Sequence, residues 1–117
     1  MQKNLEQLRA AHAFQSVGTL DKRAISKLPA LILNNGLLAA TAFTLDGGGE
    51  NRKDMKEAMN KVALHLKTRE LAGASVTDGK SLVHDLAGRD SADLQRATSE
   101  ALSYLAYLKR FAVKGED

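Results

Sequence analysis

The sequence predicts an all-α fold, a single-domain bundle of about five or six helices, and three observations carry that prediction. Apolar residues recur at helical spacing along the last third of the chain, as on a helix with one buried face. The uncharged stretch LPALILNNGLLAATAF, residues 28–43, is built mainly of leucine and alanine, which lead the helix scale, and not of alternating β-branched and polar residues. Turn-forming residues cluster at DGGGEN, residues 46–51, and AGASVTDG, residues 72–79, with long patterned segments around them.

Each element follows from its local pattern. A first helix is expected over about residues 3–17, with Leu5, Leu8, Ala11 or His12, and Phe14 on its inner side and Gly18 closing it. A second starts near Asp21, carries Ala24, Ile25 and Leu28, and continues helical to about Leu45. Within it two segments should meet near Asn34-Asn35-Gly36. Pro29 kinks or restarts the first, and Asn35 or Gly36 takes the left-handed conformation that ends a helix. Leu31, Leu33, Leu37, Leu38 and Phe43 are expected inside the bundle. After the DGGGEN loop, a helix over about residues 51–71 places Met55, Met59, Val62 and Leu66 on one face, as core filling. A short helix over about residues 80–87 uses Leu82, Val83 and Leu86. The last is the best defined: Asp90 or Ser91 caps it, and Leu94, Ala97, Ala101, Leu105, Leu108 and Ala112 recur to about Val113.

A length of 117 residues fits one helical domain spanning 1–117, with no internal repeat or candidate linker. The neutral stretch is too short and too diluted by Asn34, Asn35, Gly36, Thr41 and Thr44 to span a membrane, which takes about 20 apolar residues. No signal peptide is expected from the charged, amphipathic start, and the zero cysteines suit a cytoplasmic protein. The 17 Lys and Arg outnumber the 14 Asp and Glu, which makes nucleic acid a modest favourite among partners.

Catalytic chemistry finds little support. Gly79-Lys80-Ser81 ends like a phosphate-binding loop, but the first glycine position holds Ala74 and no strand precedes it, so the tripeptide reads as a turn opening a short helix. His12, His65 and His84 lie far apart and lack metal-ligand spacing, so neither a metal nor another cofactor is expected. The serines lack a nucleophile-elbow context. Asp90, Asp93 and Glu100 read as helix N-terminal charges and a solvated face. No catalytic residue and no small-molecule substrate are expected. Aromatics are too few for a base-stacking platform, so any RNA contact would go through phosphates.

Basic residues do share faces. With Arg96 at zero and about 100° per residue, Arg89, Arg110 and Lys114 fall within about 40° of it, opposite the apolar set, while Lys109 projects away near −140°. Glu100 interrupts this edge. Lys53, Lys56, Asn60 and Lys67 make a weaker stripe, and Lys22, Arg23 and Lys27 a third cluster. Each stripe alone is what any amphipathic helix presents to water; three together point towards a polyanion.

Two segments carry a family likeness. LPALILNNGLLAATAF and RATSEALSYLAYLKRFA, residues 96–112, closely resemble the signature segments of the small helical subunit of the Cmr complex, the type III-B CRISPR RNA-guided effector. LEQLRAAHA, residues 5–13, fits that family's opening helix less distinctively. The resemblance implies an all-α subunit without activity of its own. It implies copies stacked beside larger backbone subunits, touching guide and target RNA backbones through basic residues in antiviral RNA silencing. By motif position it implicates Arg96, Lys109 and Arg110; the face argument adds Arg89, Lys114, Lys22, Arg23 and Lys27. The equivalent subunit of the type III-A complex and a protein-only helical adaptor stand as alternatives. A DNA-reading helix-turn-helix ranks behind them, since Ser91, Ala92 and Asp93 are poor base readers.

Overall fold

The computed structural model describes residues 4–45 and 52–113. Asn4 opens α1 (Leu5–Ser16) with a capping box: its side chain accepts from the Gln7 N–H, and the Gln7 side chain reaches back to its own N–H. Asp21 caps the single turn and a half of α2 (Lys22–Ser26), which runs through Lys27 into α3 (Leu28–Asn35). Pro29 lies in the first turn of α3, where its missing N–H has no intrahelical partner to lose. Gly36, at φ 90°, separates α3 from α4 (Leu37–Thr44), a backbone conformation a side chain would strain. Then follow α5 (Arg52–Thr68), α6 (Gly79–Ala87) and α7 (Ser91–Phe111). Asp78 caps α6 in a box with Ser81, and Asp90 caps α7.

The fold is all-α, with seven helical segments among the described residues and no strand. Because α2 and α3 adjoin through one residue, the bundle reads as six rods. Helix α7 packs against α1, α2, α3 and α5, and α5 also packs against α2, α4 and α6. Between them lie Met55, Met59, Val62 and Leu66 of α5 and Ala97, Ala101, Leu105 and Leu108 of α7, with Ile25, Leu28, Ile32, Leu37, Leu82 and Leu86 closing the core. Gly79 is buried because α6 starts against α4: a Cβ there would stand 3.3 Å from Thr41 Cγ2 and 3.4 Å from Leu45 Cδ2. The phosphate-loop look-alike is thus a packing contact; Asn60 accepts the Gly79 N–H at 2.9 Å. One backbone tie closes the chain on itself, with the Lys22 N–H donating to the Val113 carbonyl at 2.9 Å.

The neutral stretch is less uniformly interior than its composition predicts. Leu37 is buried and Leu31 and Leu38 are partly so, but Leu33 is 71% exposed and Phe43 is also exposed. The Gly36 break resets the helical phase, and each eight-residue helix then covers the core with one side only. Phe43 lies beneath the Arg52 guanidinium, 3.8 Å from ring centroid to carbon. Its buried threonines are satisfied locally: Thr41 Oγ1 donates to the Leu37 carbonyl at 2.7 Å and Thr44 Oγ1 to that of Thr41 at 2.8 Å. The expected loop at 46–51 lies outside the described residues.

The first helix also turns differently. Leu8 and Phe14 face solvent, and Ala13 is its fully buried residue, beside the half-buried Arg9, His12 and Ser16. The inner side of α1 is therefore largely polar.

Leu37→Ala should destabilise the chain by about 2–5 kcal/mol, as for a fully buried leucine, whereas Leu33→Ala should stay within about 0.5 kcal/mol. Urea unfolding of the two variants checks the contrast; equal midpoints would show that this part of the bundle is packed otherwise.

Candidate nucleic-acid interface

Three helices meet at a buried ionic cluster around Glu100. Glu100 projects from the middle of α7 and is 5% exposed. Arg9 of α1 grips both its oxygens: Nε donates to Oε2 at 2.8 Å and Nη2 to Oε1 at 2.7 Å. His65 of α5, 1% exposed, binds Oε2 through Nε2 at 2.8 Å, and its Nδ1 lies 2.8 Å from Nδ1 of His12. An ionised carboxylate only accepts, so neutral His65 carries its proton on Nε2 and accepts at Nδ1 from His12. Tyr104, one turn beyond Glu100, stacks on His65 with ring centroids 4.2 Å apart. Its hydroxyl is buried without a hydrogen bond, and burial raises its pKa.

The electrostatics follow from burial. Desolvation disfavours the charged form of Glu100, but hydrogen bonds from Arg9 and His65, with the electrostatic attraction of the same two groups, outweigh it and bring its pKa below the ordinary value. Burial lowers the pKa of His65 against the pull of Glu100, and lowers that of His12 as well. The order Glu100, His65, His12 has the look of a proton relay. Both carboxylate oxygens are occupied, however, and among the described residues His12 bonds no hydroxyl. Nor do three His, Asp or Glu side chains converge to hold a metal among those residues. What the cluster does is clamp α1, α5 and α7 together. Glu100 therefore does not belong to the solvated edge on which the sequence places it: its position, about 40° round the wheel from Arg96, faces α1.

The basic residues separate into paired and unpaired groups around this clamp. Arg96 is exposed on α7 and bonded to Asp93 one turn back. Arg89 follows α6 and donates from Nε to Asp85 at 3.0 Å, within a carboxylate that also receives the Gly73 N–H. Arg23 pairs with its own helix cap, Asp21, at 3.0 Å, and Lys27 is exposed at the α2–α3 junction. Lys114 lies outside the described residues. Lys22, Lys109 and Arg110 come together instead: with Ala106 they line a cavity of ≈ 490 Å³ between α2 and the end of α7. The tie from Lys22 to Val113 sets this convergence. It also draws in Lys109, which the helical wheel alone points away from the stripe. A cavity of ≈ 420 Å³ near the start of α5 is lined by Lys53, Lys61, Asp54 and Glu57, so its charge is balanced.

Two cations escaped the sequence reading. Arg9 and Arg69 face a cleft beside Glu100 that Arg96 also lines. Nothing in the spacing of α1 or in the turn after α5 marks them, because each is identified only by the carboxylate of α7 that it approaches.

A family model, CRISPR-associated protein (Cas_Cmr5), matches residues 5–114. Among solved structures, the chain is similar to the X-ray crystal structure of a CRISPR-associated Cmr5 family protein from Thermus thermophilus. The TM-score is 0.74 and the identity 23%, over 93% of this chain and 95% of that one. No curated protein matches.

Two outcomes test the clamp. Glu100→Ala should cost about 3–5 kcal/mol, since it strands a partly buried guanidinium. His12 and His65 have folded pKa values below that of the unfolded chain, about 6.5. The unfolded chain therefore takes up more protons below that pH, and stability should fall as pH drops from about 7.5 to 5.5. Glu100, whose folded pKa is also depressed, should withdraw its share only at more acid pH, below about 4.5. Denaturant midpoints across pH, for wild type and His65→Gln, measure both; an unchanged slope in the variant would remove His65 from the account.

Proposed function

The chain belongs to the Cas_Cmr5 family of CRISPR-associated proteins, and on that premise we propose that it is the non-catalytic small subunit of a type III-B effector. In this reading it stacks with copies of itself beside the backbone subunits and touches guide and target RNA through phosphates. The observation that carries the RNA contact is the meeting of Lys22, Lys109 and Arg110 in one groove, with no ion-pair partner among the described residues. Neighbouring Arg23, Arg89 and Arg96 each have an acidic partner, and Arg96 keeps further donors for phosphate. Three uncompensated cations in a concave setting favour a polyanion over water alone. With few aromatics and no base-reading edge, the contact is expected to position RNA and not to read its sequence.

Protein contacts have their own surface. Phe14 and Phe111 meet edge to face with centroids 5.4 Å apart, and both are exposed, next to exposed Val113. Such a patch suits the subunit neighbours that this reading requires. A protein-only adaptor would use the patch and leave the groove to water.

Replacing Lys22, Lys109 and Arg110 together with Glu should leave the thermal midpoint nearly unchanged, because none of the three side chains makes a hydrogen bond or ion pair among the described residues. RNA affinity of the assembled complex should fall. The slope of log affinity against log salt should flatten by about 0.7 to 0.9 for each phosphate that the variant no longer holds. Filter binding over a salt series measures it, with Lys53→Glu and Lys61→Glu at the balanced cavity as the control. Unchanged affinity and slope would favour the protein-only reading.

A further inference from the structure

The cleft beside Glu100 holds one more cation than its carboxylate can use. Its walls include Arg9, Arg69, Leu71, Ala92 and Arg96, around a volume of ≈ 430 Å³ with Glu100 below. Arg9 and His65 already occupy both Glu100 oxygens. Arg69 is left at 4.0 Å, an ion-pair distance that is too long for a hydrogen bond. Its Nε is buried with no partner, and no hydrogen bond engages the rest of its guanidinium among the described residues. A guanidinium carries five N–H donors in a fixed fork suited to planar or tetrahedral oxyanions. With its side chain 31% exposed, Arg69 turns its remaining donors to the cleft. A water molecule would satisfy the donor without answering the charge: Arg9 and Arg69 face a single carboxylate, and Arg96 is matched by Asp93.

We propose that this cleft is a second oxyanion site that takes a phosphate of the RNA backbone, with Arg69 as its central donor and Arg9 and Arg96 at its rim. The RNA assignment rests on the reading given under Proposed function; the oxyanion site itself does not. Geometry links the two sites. Ala92, Gln95, Arg96 and Ser99 line the cleft, and Ala106, Lys109 and Arg110 line the groove. At about 100° per residue both sets centre on the same outward side of α7. From Arg96 to Arg110 is about 21 Å along that helix at 1.5 Å per residue. A strand laid along α7 therefore crosses both sites, and two-point attachment raises affinity without further contacts. Glu100 acts here as a fixed counter-charge that holds the Arg9 fork in place before any ligand arrives.

The test uses the whole chain and two probes. Inorganic phosphate is titrated against the Arg Nε–H resonances in wild type, Arg69→Gln, Arg69→Lys and the Lys22/Lys109/Arg110→Glu triple variant. Arg69 should shift saturably in wild type and in the triple variant, since the groove is not part of this site. Arg69→Gln should abolish saturable binding at the cleft, and Arg69→Lys, which keeps charge but not the fork, should weaken it. Both Arg69 variants should keep the wild-type thermal midpoint. An unstructured single-stranded RNA is the second probe. Arg69→Gln should lower affinity about tenfold, as for one charge-assisted contact, and reduce the salt slope by about 0.7. No phosphate shift at Arg69 overturns the site. A phosphate shift with RNA affinity unchanged in Arg69→Gln overturns the RNA assignment and points to an acidic protein side chain as the occupant. Loss of RNA binding in Arg69→Gln but not in the triple variant supports the cleft while the groove reading fails.

Discussion

A carboxylate drawn into a protein interior either keeps compensating donors at close range or gives up its charge, and Glu100 keeps them. Desolvation of such a group costs several kcal/mol, offset only by well-aligned partners. Here the partners come from two other helices, a bidentate guanidinium from α1 and an imidazole from α5. The rotation of α1 is consequently dictated by Arg9 and His12, not by its leucine and phenylalanine. Leu8 and Phe14 turn outward as a result, and Phe14 finds Phe111 at the surface.

The same constraint leaves one neighbouring cation only loosely paired. Because Arg9 and His65 saturate Glu100, Arg69 is held close without being consumed. Near the other end of α7, a backbone contact does comparable work. The Lys22 N–H on the Val113 carbonyl, and the Asp21 N–H on the Asp54 carboxylate at 2.9 Å, pin the start of α2 between α7 and α5. That placement turns two separate basic clusters into one groove. Helix α7 thus has a buried polar centre, an apolar inner face, and cationic sites towards both ends of its outer side.

Local pairing explains why the basic residues are not equivalent. Arg23 and Arg96 have carboxylates within three residues, and Arg89 has Asp85 one turn away. Their charges are largely answered before any partner approaches. Lys22, Lys109 and Arg110 make no ion pair among the described residues, so their field extends into solvent, screened only over about 8 Å at physiological salt.

The helices, their caps and their breaks were legible in the sequence because each depends on residues within a turn or two. Asp90 caps α7, Pro29 restarts a helix, Gly36 divides the neutral stretch, and Met55, Met59, Val62 and Leu66 fill the core as their spacing predicts. The family was legible as well, in two segments that lie within the matched residues 5–114. Tertiary structure alone decided the inner face of α1, the burial of Glu100, the exposure of Leu33, and the meeting of Lys22 with Lys109 and Arg110. Periodicity assigns apolar residues inward and charges outward, and it holds wherever burial is paid in hydrocarbon. It fails at Glu100, which is tolerable inside only because His65 and Arg9, 35 and 91 residues distant in the chain, both reach hydrogen-bonding distance.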